Sequence, residues 1–308
     1  MSSKTYTVAC LASDGVGPEL MAEACRTLSE VGRLHGFHIE DLHVPFGTEA
    51  LSRSGHPIPL ATRAAYLSAD AILVATGGEP AIDGIESELD LRAAITATRF
   101  SGGDVRVISP LSDDLAEWTV ARALQIARSS RARLASVDED GPWHELVDRL
   151  AGVHDGVVVE HLSVASGLPA LAFEPERFDV VVTGTRFASP LAEVAASVER
   201  EARVVASGRL SANGPGVFAP AHGKAQDIAG QGVANPSSML LAAALMLSEG
   251  LGERAAAATL AGAVTHACGK GRRTLDRLLH GIAATTRQFT DSVLAELQTA
   301  ASNAEFAR

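Results

Sequence analysis

HGKAQDIAGQGVANP, His222–Pro236, is a loop-length run that no ordinary core element carries. Its three glycines, at 223, 230 and 232, permit close backbone approach and positive φ. One aspartate, Asp227, stands among small and apolar neighbours and reads as buried, with a carboxylate able to accept from both hydroxyls of a ribose. His222 offers a flat ring to stack on a base. Asn235 is donor and acceptor at once and is placed to cap a helix begun at Pro236. The bland alternative is a long irregular connection closed by an asparagine cap. The density of special-geometry residues favours a ligand, although spacing by itself does not name it.

Outward from this loop the chain alternates short β-branched runs with longer amphipathic ones. Downstream, NPSSMLLAAALMLSEGLG is apolar on more than one side, as a helix buried in the flank of a sheet would be, and the chain from Asn235 to about Gln298 reads as nearly all helix. Upstream, TYTVACLA (Thr5–Ala12), FHIEDLHVPF, DAILVAT (Asp70–Thr76), DVRVISPL, RLASVDED, GVVVEHLSV and FDVVVTG read as strands. Between them, a helix opens near Pro18 with Leu20, Met21, Ala24, Leu28 and Val31 on one face and stops at Gly36. ATRAAYLSA and DDLAEWTVARALQIARSSRA are two more helices, the latter ending in a basic turn that suits its dipole. This β/α alternation predicts an α/β fold with a mostly parallel sheet flanked by helices. At 308 residues the chain is long for one domain, so two lobes are expected, with crossings near residues 100 and 210.

Composition narrows the function classes. The chain is 46% hydrophobic and only 4% aromatic, so Ala, Val and Leu carry the core. A net charge of -11 argues against nucleic acid or an anionic membrane as partner, since both require a basic face. The three cysteines, Cys10, Cys25 and Cys268, show no CxxC spacing and read as reduced thiols rather than a disulfide framework or a zinc site. The apolar run at the N-terminus is too short for a signal peptide, and no window approaches a membrane span; the cytoplasm is the expected location.

Two further motifs follow predicted strands. SDGVGPE, Ser13–Glu19, puts two glycines and a first-turn proline at a helix start, where exposed N–H groups favour a negative ligand; a tight βα turn is the alternative. TGGEPAIDG, Thr76–Gly84, is a glycine-rich exit at a sheet's carboxyl edge, where open α/β sheets bind ligands.

With these motifs the chain resembles the β-decarboxylating dehydrogenases, the family of 3-isopropylmalate, isocitrate, homoisocitrate and tartrate dehydrogenases. The resemblance is carried by SDGVGPEL, by RFDVVVTG at Arg177–Gly184, and by GVFAPAHGKAQDIAGQGVANPSSMLLAAALML at Gly216–Leu247. It implies an isopropylmalate-dehydrogenase-like two-lobed fold. Residues 1–100 and 210–308 would form the larger NAD-binding lobe, and 101–209 the smaller lobe for substrate and dimerisation. It also implies a homodimer and a small carboxylate substrate. In that family the glycine-rich loop holds the adenosine of a dinucleotide. Carried over, His222 and Gly223 approach the adenine ribose, Asp227 binds the ribose 2′-hydroxyl, and Asn235 contacts adenine. Family members using NADP carry Lys-Tyr where this chain has Asp227-Ile228, so the resemblance implies NAD; a carboxylate at this point repels a 2′-phosphate.

The substrate side departs from the family pattern. The family's malate-type substrate is held by arginines of an LR…LRP stretch, and LDLRAAITATRF supplies Arg92 and Arg99, closer together than the family's pair. Both are candidates for bidentate carboxylate binding, against the alternative of a solvated helix face. After SPL (Ser109–Leu111) the segment with the family's third arginine and catalytic tyrosine has no counterpart, and the interlocking arm is truncated. The catalytic lysine's place falls on Glu139, an aspartate's on Ala165, and the two metal-binding aspartates' on Ser189 and Glu193. This leaves Mg²⁺ or Mn²⁺ without its usual ligands, so no metal site and no catalytic residue is assigned. A Glu139–His161 acid/base pair stands against a solvated acidic turn and a surface histidine. Two functional readings remain open: an NAD-dependent oxidoreductase acting on a small 2-hydroxy acid of malate type through a rebuilt site, or a catalytically silent NAD-binding homologue with a regulatory or scaffolding role.

Overall fold

A computed structural model describes residues 4–306 apart from 13, 77–83, 86–87, 101–102, 140, 155, 198–203, 271–273 and 275–282. The chain divides into two compact units, residues 1–90 with 213–308, and residues 91–212. Most of TGGEPAIDG and the acidic residue Asp140 lie outside the described residues.

Unit 1 is made from the two ends of the chain. Its first part contains β1 (Lys4–Leu11), α1 (Gly17–His35), β2 (Phe37–His43), α2 (Gly47–Ser54), α3 (Leu60–Ser68) and β3 (Ala71–Val74). Its second part contains β10 (Gly216–Pro220), α8 (Ser237–Leu245, continued by a π-helical turn over Met246–Gly250), α9 (Arg254–Gly269) and α10 (Thr286–Phe306). The reasons for α1 are local. Pro18 presets φ in the first turn, and Glu19 faces the positive end of the helix. The expected stripe of Leu20, Met21, Ala24, Leu28 and Val31 is fully buried, and Gly36 ends the helix in a left-handed conformation (φ 78°) with its N–H on the Gly32 carbonyl. All nine residues of α8 are buried, in keeping with a sequence that has no polar face. The helical C-terminal third is interrupted after this turn, at Gly252 (φ 75°).

The strands of unit 1 run in the order β2-β1-β3-β10, and every pair is parallel. The chain steps from β1 to β2 on one side and then returns to place β3 on the other. The carboxyl ends of β1 and β3 therefore flank a topological switch point, the place where open α/β sheets leave a crevice.

Unit 2 contains β4 (Leu91–Phe100), β5 (Gly103–Pro110), α4 (Ala116–Arg128), β6 (Arg133–Val137), α5 (Gly141–Ala151), β7 (Val158–Leu162), α6 (Val164–Phe173), β8 (Val180–Val182), α7 (Ala188–Ser197) and β9 (Val204–Ser211). Their order is β9-β4-β5-β8-β6-β7, with β4 antiparallel to both neighbours and the remaining pairs parallel. Val105, Val107, Val137, Phe178, Val181 and Leu191 belong to the core on one face. The helix-face alternative for LDLRAAITATRF is overturned: Leu91–Phe100 is a strand, alternating buried and half-buried positions over most of its length. Because β4 pairs along its length with β5 and β9, the first crossing into unit 2 comes at Asp90/Leu91 rather than near 100. The link from β5 to α4 is only residues 111–115, a single 3₁₀ turn, so no arm is inserted there. Here too the strand order reverses, from β6 to β7 on one side and back to β8 on the other, making a second switch point at the carboxyl ends of β6 and β8. No helix among the described residues is long and apolar enough to cross a membrane.

Candidate functional site

At the switch point of unit 1 the turn after β1 is locked to the loop after β10. Gly15 has φ +62°, and a Cβ on it would stand 1.9 Å from the carbonyl oxygen of Lys224, so this position admits only glycine. The reason for that closeness is a backbone hydrogen bond, Val16 N–H to Lys224 O at 2.9 Å. The Lys224 ammonium reaches back to Asp14, with Nζ 2.9 Å from Oδ2. Thr48 donates to the same carboxylate from its hydroxyl at 2.6 Å and its N–H at 3.3 Å. Burial would raise the Asp14 carboxyl, but the bonds from Thr48 and Lys224 outweigh it and hold the group below its ordinary value.

The loop itself is tied at two more points. Glu19 Oε2 accepts from the Gly232 N–H at 3.1 Å, while the Gly232 carbonyl accepts from the Thr286 N–H at 2.8 Å and the Ala234 carbonyl from the Thr286 hydroxyl at 2.7 Å. Asn235 is buried and caps α8: its Oδ1 accepts from the N–H of Ser237 at 2.9 Å and from its hydroxyl at 2.5 Å. Thus SDGVGPE, the glycine-rich loop and the start of α10 make one hydrogen-bonded platform.

On that platform Asp227 is exposed, not buried as its neighbours suggested, because the 3₁₀ turn Gln226–Ile228 turns it outward. Its carboxylate takes no hydrogen bond among the described residues; only its backbone carbonyl is engaged, by Gln231 Nε2 at 2.9 Å. Ile228 is half-buried beside it. Gly230 (φ +72°) and Gly232 (φ +65°) adopt the expected positive φ, and a Cβ at either would meet nothing within 4 Å. Gly223 does not adopt positive φ; the left-handed residue of that segment is Ala225, φ 40°. His222 is half-buried, with Nδ1 3.1 Å from the Gly223 carbonyl. A free carboxylate beside open, side-chain-free backbone is a donor–acceptor set that fits the ribose end of a dinucleotide.

Unit 2 has its own cavity, about 630 Å³, at its switch point; its lining includes Asp113, Asp138, Glu139, Trp143, Thr185 and Arg186. The acidic residues are engaged by the pocket wall. Asp138 is buried and joins two strand ends, accepting from the N–H of Glu139 at 2.8 Å and of Gly184 at 3.0 Å. Asp113 accepts from the Thr185 hydroxyl at 2.6 Å, and Glu139 from the Val164 N–H at 2.7 Å. Glu139 and His161 are not hydrogen-bonded to one another: His161 Nε2 is 2.8 Å from Asp148, and its ring lies 4.5 Å from that of His144. Ser189 and Glu193 are exposed on α7, and Ala165 is exposed on α6. One hydroxyl and one carboxylate do not make a hard-cation site, so this donor pair does not fit Mg²⁺ or Mn²⁺.

The two arginines part company. Arg92 sits at the start of β4, which runs opposite to β5, so it lies at the edge where β5, β6 and β8 end; its carbonyl accepts from Leu111 N–H at 3.0 Å and its guanidinium lies 6.0 Å from the Trp118 ring. Arg99 lies seven residues along an extended strand, about 23 Å away at the rise of a β-strand. It is at the opposite edge of the sheet, ion-paired with Asp104 at 3.4 Å. A single small carboxylate cannot touch both. Lys224, Thr48 and Trp143 escaped the sequence reading; only Lys224, inside the quoted loop, carried a signal there.

Residues 7–101 and 96–293 match the profile of the isocitrate/isopropylmalate dehydrogenase family. The chain belongs to that family. Among its relatives, the 3-isopropylmalate dehydrogenase of Synechococcus sp. (strain CC9605) is 31% identical over 337 residues, covering 90% of this chain and 94% of the relative. That of Streptococcus mutans serotype c is 31% identical over 344 residues, covering 94% and 99%. Both alignments are longer than this family member's 308 residues, so these relatives carry segments without a counterpart here. The fold matches that of a β-decarboxylating dehydrogenase from Thermococcus kodakarensis, TM-score 0.84 at 24% identity, with 96% of this chain and 97% of that one covered. It also matches isocitrate dehydrogenase from Methylococcus capsulatus, TM-score 0.76 at 20% identity over 95% and 99%.

Proposed function

We propose that this family member is an NAD-dependent oxidoreductase acting on a small 2-hydroxy carboxylic acid of malate type, as a homodimer. The observation that carries the reading is the exposed carboxylate of Asp227, which takes no hydrogen bond among the described residues, set on a loop that Asp14, Val16, Glu19 and Thr286 hold in place. Unit 1 is assigned the cofactor. Asp227 accepts from the ribose hydroxyls, Gly230 and Gly232 let the nucleotide approach, His222 and Gly223 flank the ribose, and Ile228 and Asn235 border the adenine. What NAD supplies when bound is a hydride acceptor. The negative charge at 227 repels the additional phosphate of NADP.

Unit 2 is assigned the substrate, with Arg92 as the guanidinium that holds its carboxylate in the bidentate way. Arg99 is not retained for that role, because its edge of the sheet is remote from Arg92 and it is ion-paired with Asp104, a carboxylate it shares with Arg106. Support for the dimer comes from α6: VASGLPALAF is apolar along its length yet buries only Gly167 and Leu171.

A second reading, a silent NAD-binding homologue with a regulatory or scaffolding role, is favoured by Glu139. It stands where the family carries a base and is occupied by the Val164 N–H. One experiment separates the two: titrate the protein with NAD and NADP by calorimetry, then follow NADH absorbance with a panel of 2-hydroxy dicarboxylates. NAD binding with turnover supports the enzyme, NAD binding without turnover the silent homologue, and no NAD binding removes both.

A further inference from the structure

The three cysteines showed no metal spacing in sequence, yet the fold assembles two of them with a histidine. Cys10 on β1 and His43 on β2 are register partners in the parallel pair, and Cys25 comes down on them from α1. The Cys10 and Cys25 sulfurs are 3.8 Å apart, Cys25 Sγ is 4.0 Å from His43 Nε2, and all three donor atoms lie within 4.8 Å of one another. Among the described residues this is the one group of three or more such ligands at that spacing.

These distances approach those of ligands around a bound ion. A tetrahedral Zn²⁺ with Zn–S of about 2.3 Å and Zn–N of about 2.0 Å separates two sulfurs by roughly 3.8 Å and sulfur from nitrogen by roughly 3.6 Å. The sulfur pair already has that separation, while the imidazole, 4.0 Å from Cys25 Sγ and within 4.8 Å of Cys10 Sγ, must close by roughly 1.2 Å at most. A disulfide would need the sulfurs to close to about 2.05 Å, a far larger shift between a strand and a helix. Cys10 is buried, Cys25 half-buried and His43 exposed, so the cluster has a dry end and an entry. Asp41, two residues before His43 on the same face of β2, adds negative charge beside the Cys25 thiol.

We infer that Cys10, Cys25 and His43 form a binding site for one thiophilic divalent cation of the zinc class, with thiolate, thiolate and neutral imidazole as ligands. On binding, each thiol gives its proton to solvent and its sulfur lone pair to the metal, with no change of oxidation state. The cation would join β1, α1 and β2 just behind the turn that carries Asp14 and Gly15. This assignment is independent of the cofactor reading.

The test uses the full-length chain without an affinity tag, reduced, stripped with a chelator and titrated with Co²⁺. The expected result is one Co²⁺ per chain with a sulfur-to-cobalt charge-transfer band in the near ultraviolet, displaced by Zn²⁺. Because Cys10 lies inside a strand, Cys25→Ser and the exposed His43→Ala carry the mutational arm. The first removes one of the two thiolates and should cut the band to half or less; the second should weaken Zn²⁺ by roughly tenfold or more while leaving the melting temperature of the metal-free chain unchanged. Zn²⁺ should also slow alkylation of Cys25 in the wild type. Absence of the band in the reduced wild type, or a band undiminished in Cys25→Ser, overturns the site.

Discussion

The ammonium of Lys224 lies 2.9 Å from the Asp14 carboxylate while the carbonyl of the same lysine accepts the Val16 N–H at 2.9 Å. One residue of the glycine-rich loop is thus held by both its side chain and its backbone to a turn more than two hundred positions away. Lys224→Met keeps the stem and the backbone bond and deletes the ion pair. A hydrogen bond to a charged group contributes about 1.5–3 kcal/mol, so NAD affinity should fall by roughly tenfold or more. Calorimetry checks this, and an unchanged Kd would show that the ion pair does not position the loop.

The same pair fixes a sign for pH. The Asp14 carboxyl is held below its ordinary 3.8 in the fold. Its contribution to stability is therefore complete above 3.8 and is lost as pH falls through the lower folded value. Wild type minus Asp14→Asn should give a melting-temperature difference that is flat at neutral pH and shrinks only below 3.8. A difference that shrinks instead near neutrality would mean that another group governs it.

Gly15→Ala places a Cβ against the Lys224 carbonyl at a φ that L residues rarely adopt. Left-handed strain costs about 1–3 kcal/mol, and relieving the overlap must open the Val16–Lys224 bond. The variant should melt several degrees lower and bind NAD more weakly. A variant with wild-type melting and affinity would show the turn to be more pliable than its geometry indicates.

On the proposed reading, Asp227 sets the preference between the two dinucleotides. A unit negative charge at contact distance from a 2′-phosphate costs between about 1 kcal/mol in water and about 4 kcal/mol near a protein surface. The pair Asp227→Lys with Ile228→Tyr should reverse the preference, raising NADP affinity and lowering that of NAD. Equal binding of the two cofactors by the wild type would refute the role given to this carboxylate.

Much of this arrangement is legible in the chain, and the rest is hidden for definite reasons. The stripe of α1 and its Gly36 stop follow from local chemistry, as does the all-apolar α8. Strand β4 is harder: Arg92 and Arg99 are seven apart, which is one face of a helix but ordinarily opposite faces of a strand. The alternation Leu91, Ala93, Ile95 carried the correct period. Strand β9 and α2 had too little contrast to stand out. The Cys10–Cys25–His43 cluster was unreadable because register between β1 and β2, not spacing along the chain, brings it together. The cavity at Asp138 depends likewise on the order β8-β6-β7, which no local pattern encodes.

The separation of Arg92 from Arg99 predicts opposite phenotypes. Arg92→Lys replaces a planar fork with a point charge and should weaken dicarboxylate binding in the presence of NAD roughly tenfold to a hundredfold, leaving NAD itself unaffected. Arg99→Ala breaks the pair with Asp104 and should leave the dicarboxylate Kd unchanged. If Arg99→Ala weakens the dicarboxylate and Arg92→Lys does not, the assignment is reversed.

Phe173, at the end of α6, is 84% exposed. The helix before it exposes Ala165 and Pro169 and holds its buried contacts through Gly167 and Leu171. A two-fold interface would bury this surface against its own copy, so each change counts twice. Covering a phenylalanine contributes about 1.5–3 kcal/mol. Phe173→Asp removes that from both protomers and sets two carboxylates near the axis, and should weaken dimerisation by a factor of roughly a hundred or more. Since the ring takes no part in the core of the unit, the circular dichroism spectrum should not change. Sedimentation across a concentration series reads the outcome: a wild-type dimer and a variant monomer support α6 as the interface. A variant that sediments like a dimeric wild type places the interface elsewhere, and a monomeric wild type removes the dimer altogether.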